Sequence, residues 1–144
     1  MPRTTITRTI DAPVDRVFET IADIKNFSRA VPHIVNVVFL SEVRTGVGTR
    51  FRETRLMHGK ERSTELEVTE YVENERVRMV ADTDGTVWDS VFVVSPVEGK
   101  TLLDFTMDAR PHKLLPKLVV PLMKGLVRKA IEKDMDAVKA YCER

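Results

Sequence analysis

LLPKLVVPLMKGLVRKAIEKDMDAVK, residues Leu114 to Lys139, is almost wholly apolar at its start and half charged at its end. A membrane span needs about 20 nearly uncharged residues, whereas Lys117 and Lys124 interrupt this run and Pro121 and Gly125 break its interior. At about 100° per residue, Leu115, Leu118, Val119, Leu122 and Leu126 share one apolar face, with Val120, Met123 and Val127 on its flank. Lys117, Lys124, Arg128, Glu132 and Lys139 occupy the opposite wedge, and the stripe continues through Val127, Ala130, Ile131, Val138 and Tyr141. The spacing predicts one long amphipathic helix, Leu115 to Tyr141, whose leucines dock on a large concave surface. It should bend where Pro121 offers no amide to the carbonyl of Lys117.

That surface is written upstream as a meander. Turn signals recur at Gly46 to Gly48, His58 to Lys60, Val72 to Asn74, Asp84–Gly85 and Glu98–Gly99. Between them lie strand-like runs at about 34 to 43, 48 to 57, 61 to 72, 75 to 82, 86 to 95 and 101 to 109, preceded by a first strand, Thr4 to Asp11. Pro13 opens a helix with Val14, Val17, Phe18 and Ile21 at helical spacing, and a second short helix runs from Ile24 to Ala30, before Pro32. The order is strand, two short helices, six antiparallel strands and one long helix, an α+β domain spanning 1–144.

Composition narrows the function classes. The chain has 144 residues, 42% hydrophobic and 31% charged, enough for one modest core. Its 23 basic and 22 acidic residues nearly cancel, so no nucleic-acid partner is expected, although the segment from His112 onward leans basic. The opening residues carry no apolar run and no small-residue cleavage site. A lone thiol, Cys142, makes neither an internal disulfide nor a multi-thiolate site, and a cytoplasmic location is expected. His33, His58 and His112 stand too far apart in sequence to suggest a metal, and no cofactor motif appears.

The pieces IDAPVDRVFETIADIKNFSRAVPHI, GVGTRF, LEVTEYVENERVRM and PVEGKTLLDFTMDARP, in that order and followed by the long helix, resemble the START-like helix-grip superfamily (SRPBCC). Within it they are most similar to the bacterial polyketide cyclase/dehydrase and lipid transport group, with coenzyme Q-binding-like proteins as cousins. The resemblance implies a curved seven-stranded antiparallel sheet wrapped around the C-terminal helix. It also implies a cavity between sheet and helix that takes sterols, lipids, polyketides or hormones, or a surface that meets partner proteins. Its motifs are structural and carry no catalytic position onto this chain.

Alternation puts Val77, Met79 and Ala81 on one strand face and Leu103, Phe105, Met107 and Ala109 on another, while the strand from Thr86 is apolar on both faces. Joined to the resemblance, these faces give an expected ligand wall of Phe51, Met57, Met79, Trp88, Phe105, Met107, Leu118, Leu122 and Met123. Methionine suits such a wall because its thioether adapts to varied shapes. In TRFRETRLM, Glu53 and Arg55 share the face of Phe51 and Met57. The expectation is that both charges lie solvated at the rim; the alternative makes Arg55 a ligand anchor for a carboxylate or carbonyl, oriented by Glu53. Asp89 and Asp104 are expected at the surface, and Arg50, Arg52, Arg76 and Arg78 on a salt-bridged outer face with Glu65 and Glu67.

Three classes remain: a carrier or sensor of a hydrophobic small molecule, a cyclase, aromatase or dehydratase using the same cavity, and a protein-interaction domain with a closed cavity, through a protein partner or a homodimer. A buried acid of shifted pKa favours the second, and an exposed apolar patch outside the cavity favours the third. Pro121 and Gly125 further suggest either a static bend or a gate over Pro116 to Gly125.

Overall fold

Three two-residue turns build most of the sheet. His58–Gly59, Asp84–Gly85 and Glu98–Gly99 hold both central residues at positive φ (53° and 78°, 51° and 80°, 49° and 81°), the geometry whose twist matches the flanking strands. The structure, a computed structural model, describes residues 3–144. Its strands are β1 (Arg3–Ile10), β2 (Ile34–Phe39), β3 (Arg50–Met57), β4 (Lys60–Val72), β5 (Arg76–Thr83), β6 (Thr86–Val97) and β7 (Lys100–Pro111). They form one seven-stranded antiparallel sheet in the order β1-β7-β6-β5-β4-β3-β2. The second strand stops at Phe39 rather than 43, because the chain from Leu40 turns toward the Gly46–Thr49 loop. Extra residues at Val35 and Thr69 shift the register of β2 and β4, and such bulges bend a strand.

Helices α1 (Val14–Ala22) and α2 (Ile24–Ala30) follow β1. Val17, Phe18 and Ile21 of α1 are buried, and Asp23 caps α2 by accepting from the Lys25 amide at 2.9 Å. Phe27 of α2 meets Phe92, which in turn meets Phe105 with ring centroids 4.4 Å apart. Tyr71 packs edge-on against Phe18, which makes it a packing residue.

The C-terminal helix runs in three pieces: α3 (Leu114–Val119), a 3-10 turn (Val120–Met123) and α4 (Lys124–Cys142). The tighter turn falls on Pro121, where the ordinary helical hydrogen bond is missing. The docking face differs from the expected one. Ile131, Met135, Val138 and Cys142 are buried against the inner sheet face, whereas Leu115, Leu118, Leu122 and Leu126 point outward, Leu122 with 84% of its surface exposed. The register of α4 decides this. Counting back from Met135 and Ile131 by helical intervals reaches Val127 and then Val120, which turn inward, and leaves the leucines on the far side.

Polar bonds fix α4 along β1. Arg8 Nε donates to Asp136 Oδ1 at 2.7 Å, Lys139 Nζ to the Thr9 carbonyl at 2.7 Å, and the Asp11 amide to Glu143 Oε2 at 2.8 Å. At the other end, the entry to α3 is held by the β5–β6 turn. The Gly85 carbonyl accepts from the amides of His112 (2.8 Å) and Lys113 (3.2 Å), and a Cβ on Gly85 would lie 2.9 Å from the Lys113 side chain.

The outer face is laced with ion pairs. Arg52 meets Glu65 at 2.9 Å, and Arg76 and Arg78 both reach Glu70. Asp89 departs from expectation: it is buried, because Arg78 and Arg110 cover it at 2.6 and 3.2 Å. The hydrogen bonds from Arg78 hold its carboxyl below the usual range, and the same bonds push the Arg78 guanidinium up. Asp104 is half-buried and accepts from Thr7 at 2.8 Å.

Candidate functional site

Between the inner sheet face and α4 lies a chamber of about 110 Å³. Its floor is laid by alternation: Phe51 on β3, Leu66 on β4, Met79 on β5, Phe92 on β6, and Phe105 and Met107 on β7. Ile21, Ile24 and Phe27 close one end, and Ile131 and Met135 form the roof. Ser90 breaks the apolar floor between its neighbours Met79 and Met107, with which it is in register.

One corner is charged. Glu53 and Arg55 of β3 face inward beside Phe51 and meet Asp134 of α4. Arg55 Nε donates to Glu53 Oε1 at 3.2 Å, and its Nη1 donates to Asp134 Oδ2 and Oδ1 at 2.9 and 3.1 Å. Their side chains are largely buried, so the expected solvated rim is not what the fold provides. The cause is length: the charges sit mid-strand, and α4 passes directly over them instead of short of them. His33, just before β2, completes the corner. Its Nε2 is 3.0 Å from Asp134 Oδ1 and 3.1 Å from Arg55 Nη1. A guanidinium only donates, so that one nitrogen serves Arg55 as a lone pair or Asp134 as an N–H, one partner per tautomer.

The electrostatics follow from burial. Desolvation raises the Glu53 carboxyl above the usual glutamate range, with Arg55 opposing. Burial also lowers the His33 imidazole, outweighing the pull of Asp134, and so favours the neutral ring. For Arg55, burial acts downward but Glu53 and Asp134 more than offset it, so the guanidinium stays charged. Two carboxylates thus face one fixed cation.

Burial of Glu53 also gives stability a pH dependence of definite sign. Because the folded state raises the Glu53 pKa, its contribution is fully present below about pH 4.3, the ordinary glutamate value. It is lost as pH rises through the folded value. Relative to Glu53→Gln, the parent is therefore expected to lose stability between that pH and neutrality, read by urea unfolding across the range. A parent that instead gains on the variant as pH rises would make the ion pair with Arg55, and not burial, the stronger influence.

The expected wall residues divide into groups. Phe51, Arg55, Met79, Phe105 and Met107 border the chamber. Trp88 faces inward but lies beside a separate gap of about 10 Å³ with Met107, Ala109 and Val120. Met57 sits exposed at the β3–β4 turn, where no layer covers it, and Leu118 and Leu122 are on the outward helix face. Met123, half-buried at the end of the 3-10 turn, borders neither space. Sequence reading missed Asp134, Ser90 and the Ile21, Ile24 and Phe27 end wall. The Asp134 signal was present, three residues after Ile131 and one before Met135 on the face that α4 buries. His58 is a turn residue, and His112 bonds Asp82 at 2.8 Å in the open. Among the described residues, no group of three or more His, Cys, Asp or Glu is placed to hold a metal, and no helix is long and apolar enough to cross a membrane.

A family model described as polyketide cyclase/dehydrase and lipid transport matches residues 1–143. Among solved structures, a START superfamily protein from Mycobacterium smegmatis aligns with a TM-score of 0.80 at 18% identity, covering 98% of this chain and 97% of that one. TTHA0849 from Thermus thermophilus aligns at 0.78 and 19% identity, covering 96% and 95%. The di-domain ARO/CYC BexL of the BE-7585A biosynthetic pathway aligns at 0.80 and 17% identity over 97% of this chain but only 46% of that longer one. At such identities the likeness is one of fold. No curated protein matches the sequence.

Proposed function

The chain belongs to the polyketide cyclase/dehydrase and lipid transport family, and from that premise we propose that it binds a small hydrophobic molecule in the chamber between sheet and α4, with a neutral oxygen of the ligand directed to Arg55. The observation that carries this reading is the chamber's asymmetry, an apolar floor and roof with a single charged corner. A carboxylate ligand fits that corner poorly, since Glu53 and Asp134 already outnumber Arg55 and a third negative charge would be uncompensated. A ketone or phenolic oxygen accepts from the guanidinium, or meets Glu53, without that cost.

Size limits the ligand as well. A cavity of about 150 Å³ holds benzene, so a chamber of about 110 Å³ takes a short chain or a small ring once Met79, Met107 and Met135 shift their flexible side chains. Calorimetric titration with 4-propylphenol and 4-propylbenzoate, which share a body and differ in head group, tests the reading. The phenol is expected to bind one-to-one and about ten-fold or more tighter. Equal affinities, or binding of neither, would remove it.

A second reading is favoured by Glu53, whose raised pKa inside the chamber is the mark of a proton donor. Its carboxylic acid would protonate the carbonyl oxygen as a ligand α-carbon bonds to that carbonyl carbon in a cyclisation, or the hydroxyl that leaves as water in a dehydration. The resulting carboxylate would take up the proton that the α-carbon loses. Under that reading Glu53→Gln retains 4-propylphenol binding yet abolishes turnover of a polyketone substrate.

Larger family-type ligands, lipids or polyketides, require the chamber to widen past Met107 into the gap beside Trp88, which Val120, Lys124 and Val127 cover. No residue of α3 is buried, and only Val120 is buried in the 3-10 turn. Amides from Leu118 to Gly125 are therefore expected to exchange faster than those from Ala130 to Val138, with the difference shrinking under saturating 4-propylphenol. Uniformly slow exchange along the helix would leave a static bend.

A further inference from the structure

The outward face of the C-terminal helix has no use in the chamber. Leu114, Leu115, Leu118, Leu122 and Leu126 lie 65–84% exposed along one side of α3, the 3-10 turn and the start of α4. Helical spacing joins them into one stripe, whereas Val43, Val47, Leu56, Met57, Val72 and Val97 lie in loops or at strand ends and Val38 and Val93 stand singly on strands. From Pro111 to Ile131 the sequence contains no acidic residue but carries Lys113, Lys117, Lys124, Arg128 and Lys129. Among the described residues, none of these five takes part in an ion pair, whereas eight of the other eighteen lysines and arginines do.

We propose that this face docks on the surface of an anionic lipid bilayer, with the leucines among the acyl chains, Lys129 beside them at the headgroups, and the field of the other basic residues drawing the segment to the membrane. The segment is too short and too charged to span, and an amphipathic helix with a basic flank lies in the plane of the interface. Charge selects this occupant over a second copy of the chain, because packing two such faces together brings two acid-free segments of five unpaired cations each within a Debye length, about 10 Å, of one another. A bilayer with anionic headgroups offers apolar and negative surface side by side. The proposal stands on the helix exposure and charge alone, so it holds or fails independently of what the chamber binds.

The test is co-sedimentation of the full chain with vesicles of phosphatidylcholine alone and of phosphatidylcholine mixed with phosphatidylglycerol. Binding to the mixed vesicles is expected to be at least about ten-fold stronger and to weaken sharply in high salt. Leu118→Ser with Leu122→Ser should lower it about ten-fold or more without changing thermal unfolding, since both side chains are exposed. Lys117→Glu with Arg128→Glu should erase the preference for phosphatidylglycerol. Absent or equal binding to the two vesicle types, or full binding by the leucine variant, would overturn the proposal. A concentration-dependent dimer that the leucine variant abolishes would assign the face to a second copy. Saturable binding of polyglutamate without vesicle binding would assign it to an acidic protein.

Discussion

Met135→Asp is expected to lower the unfolding free energy by about 4 kcal/mol or more, while Leu122→Asp, thirteen residues earlier on the same helix, should change it by less than about 0.5 kcal/mol. Met135 has 1% of its surface exposed, between the roof of the chamber and the inner sheet face, and no basic side chain lines that chamber except Arg55, already paired twice. An aspartate there loses the buried thioether contacts and carries an unpaired charge into the interior, two penalties that add. At Leu122 the aspartate meets water, since 84% of that surface is exposed. Urea unfolding of both variants reads the contrast. A Leu122→Asp protein destabilised as severely as Met135→Asp would mean that the leucine face, and not the Val127, Ile131 and Met135 face, is docked.

Arg55→Met should cost about 3–5 kcal/mol at neutral pH, because it leaves Glu53 and Asp134 as facing carboxylates in a largely buried corner. The loss has a pH signature. Without the guanidinium nothing opposes the burial that raises the Glu53 pKa above its unfolded value, so the deficit is largest at neutral pH and shrinks as acid protonates that carboxyl. Adding Glu53→Gln and Asp134→Asn to Arg55→Met removes both charges and should restore most of the stability, since a buried ionic cluster is often replaceable by neutral groups of like shape. A pH-independent deficit that the triple variant does not relieve would show that Arg55 acts through its aliphatic stem and not its charge.

How far the sequence could be read differs by element. The hairpins were legible because Asp84–Gly85 and its counterparts state both the turn and the register, and alternation then sorted Met79, Phe105 and Met107 inward. The C-terminal helix was legible as a helix and misread in rotation. Its first half has five leucines at helical spacing, a stronger apolar signal than Val120 and Val127, so local hydrophobicity pointed the wrong way. Only the register carried back from Ile131, Met135 and Val138 identifies the docked side, and that constraint is tertiary. The charged corner was half legible. The sequence shows Glu53 and Arg55 two apart on a strand, but Asp134 lies 79 residues from Arg55, and no local pattern joins them. Asp89 was misplaced for a related reason: a carboxylate on an outer strand face reads as solvated unless arginines on two neighbouring strands fold over it.

The proposed uptake of a small hydrophobic molecule into the space under α4 can be followed directly at the methionines. Six are present in the chain; Met79, Met107 and Met135 border the chamber, whereas Met57 and Met123 lie away from it. With methyl-labelled methionine assigned by single Met→Leu variants, titration with 4-propylphenol followed by carbon–proton NMR separates the two groups. The resonances of Met79, Met107 and Met135 are predicted to shift together along one saturable curve while Met57 and Met123 stay in place. Shifts confined to Met57 or Met123, or no saturable shift at the three chamber methionines, would contradict the account.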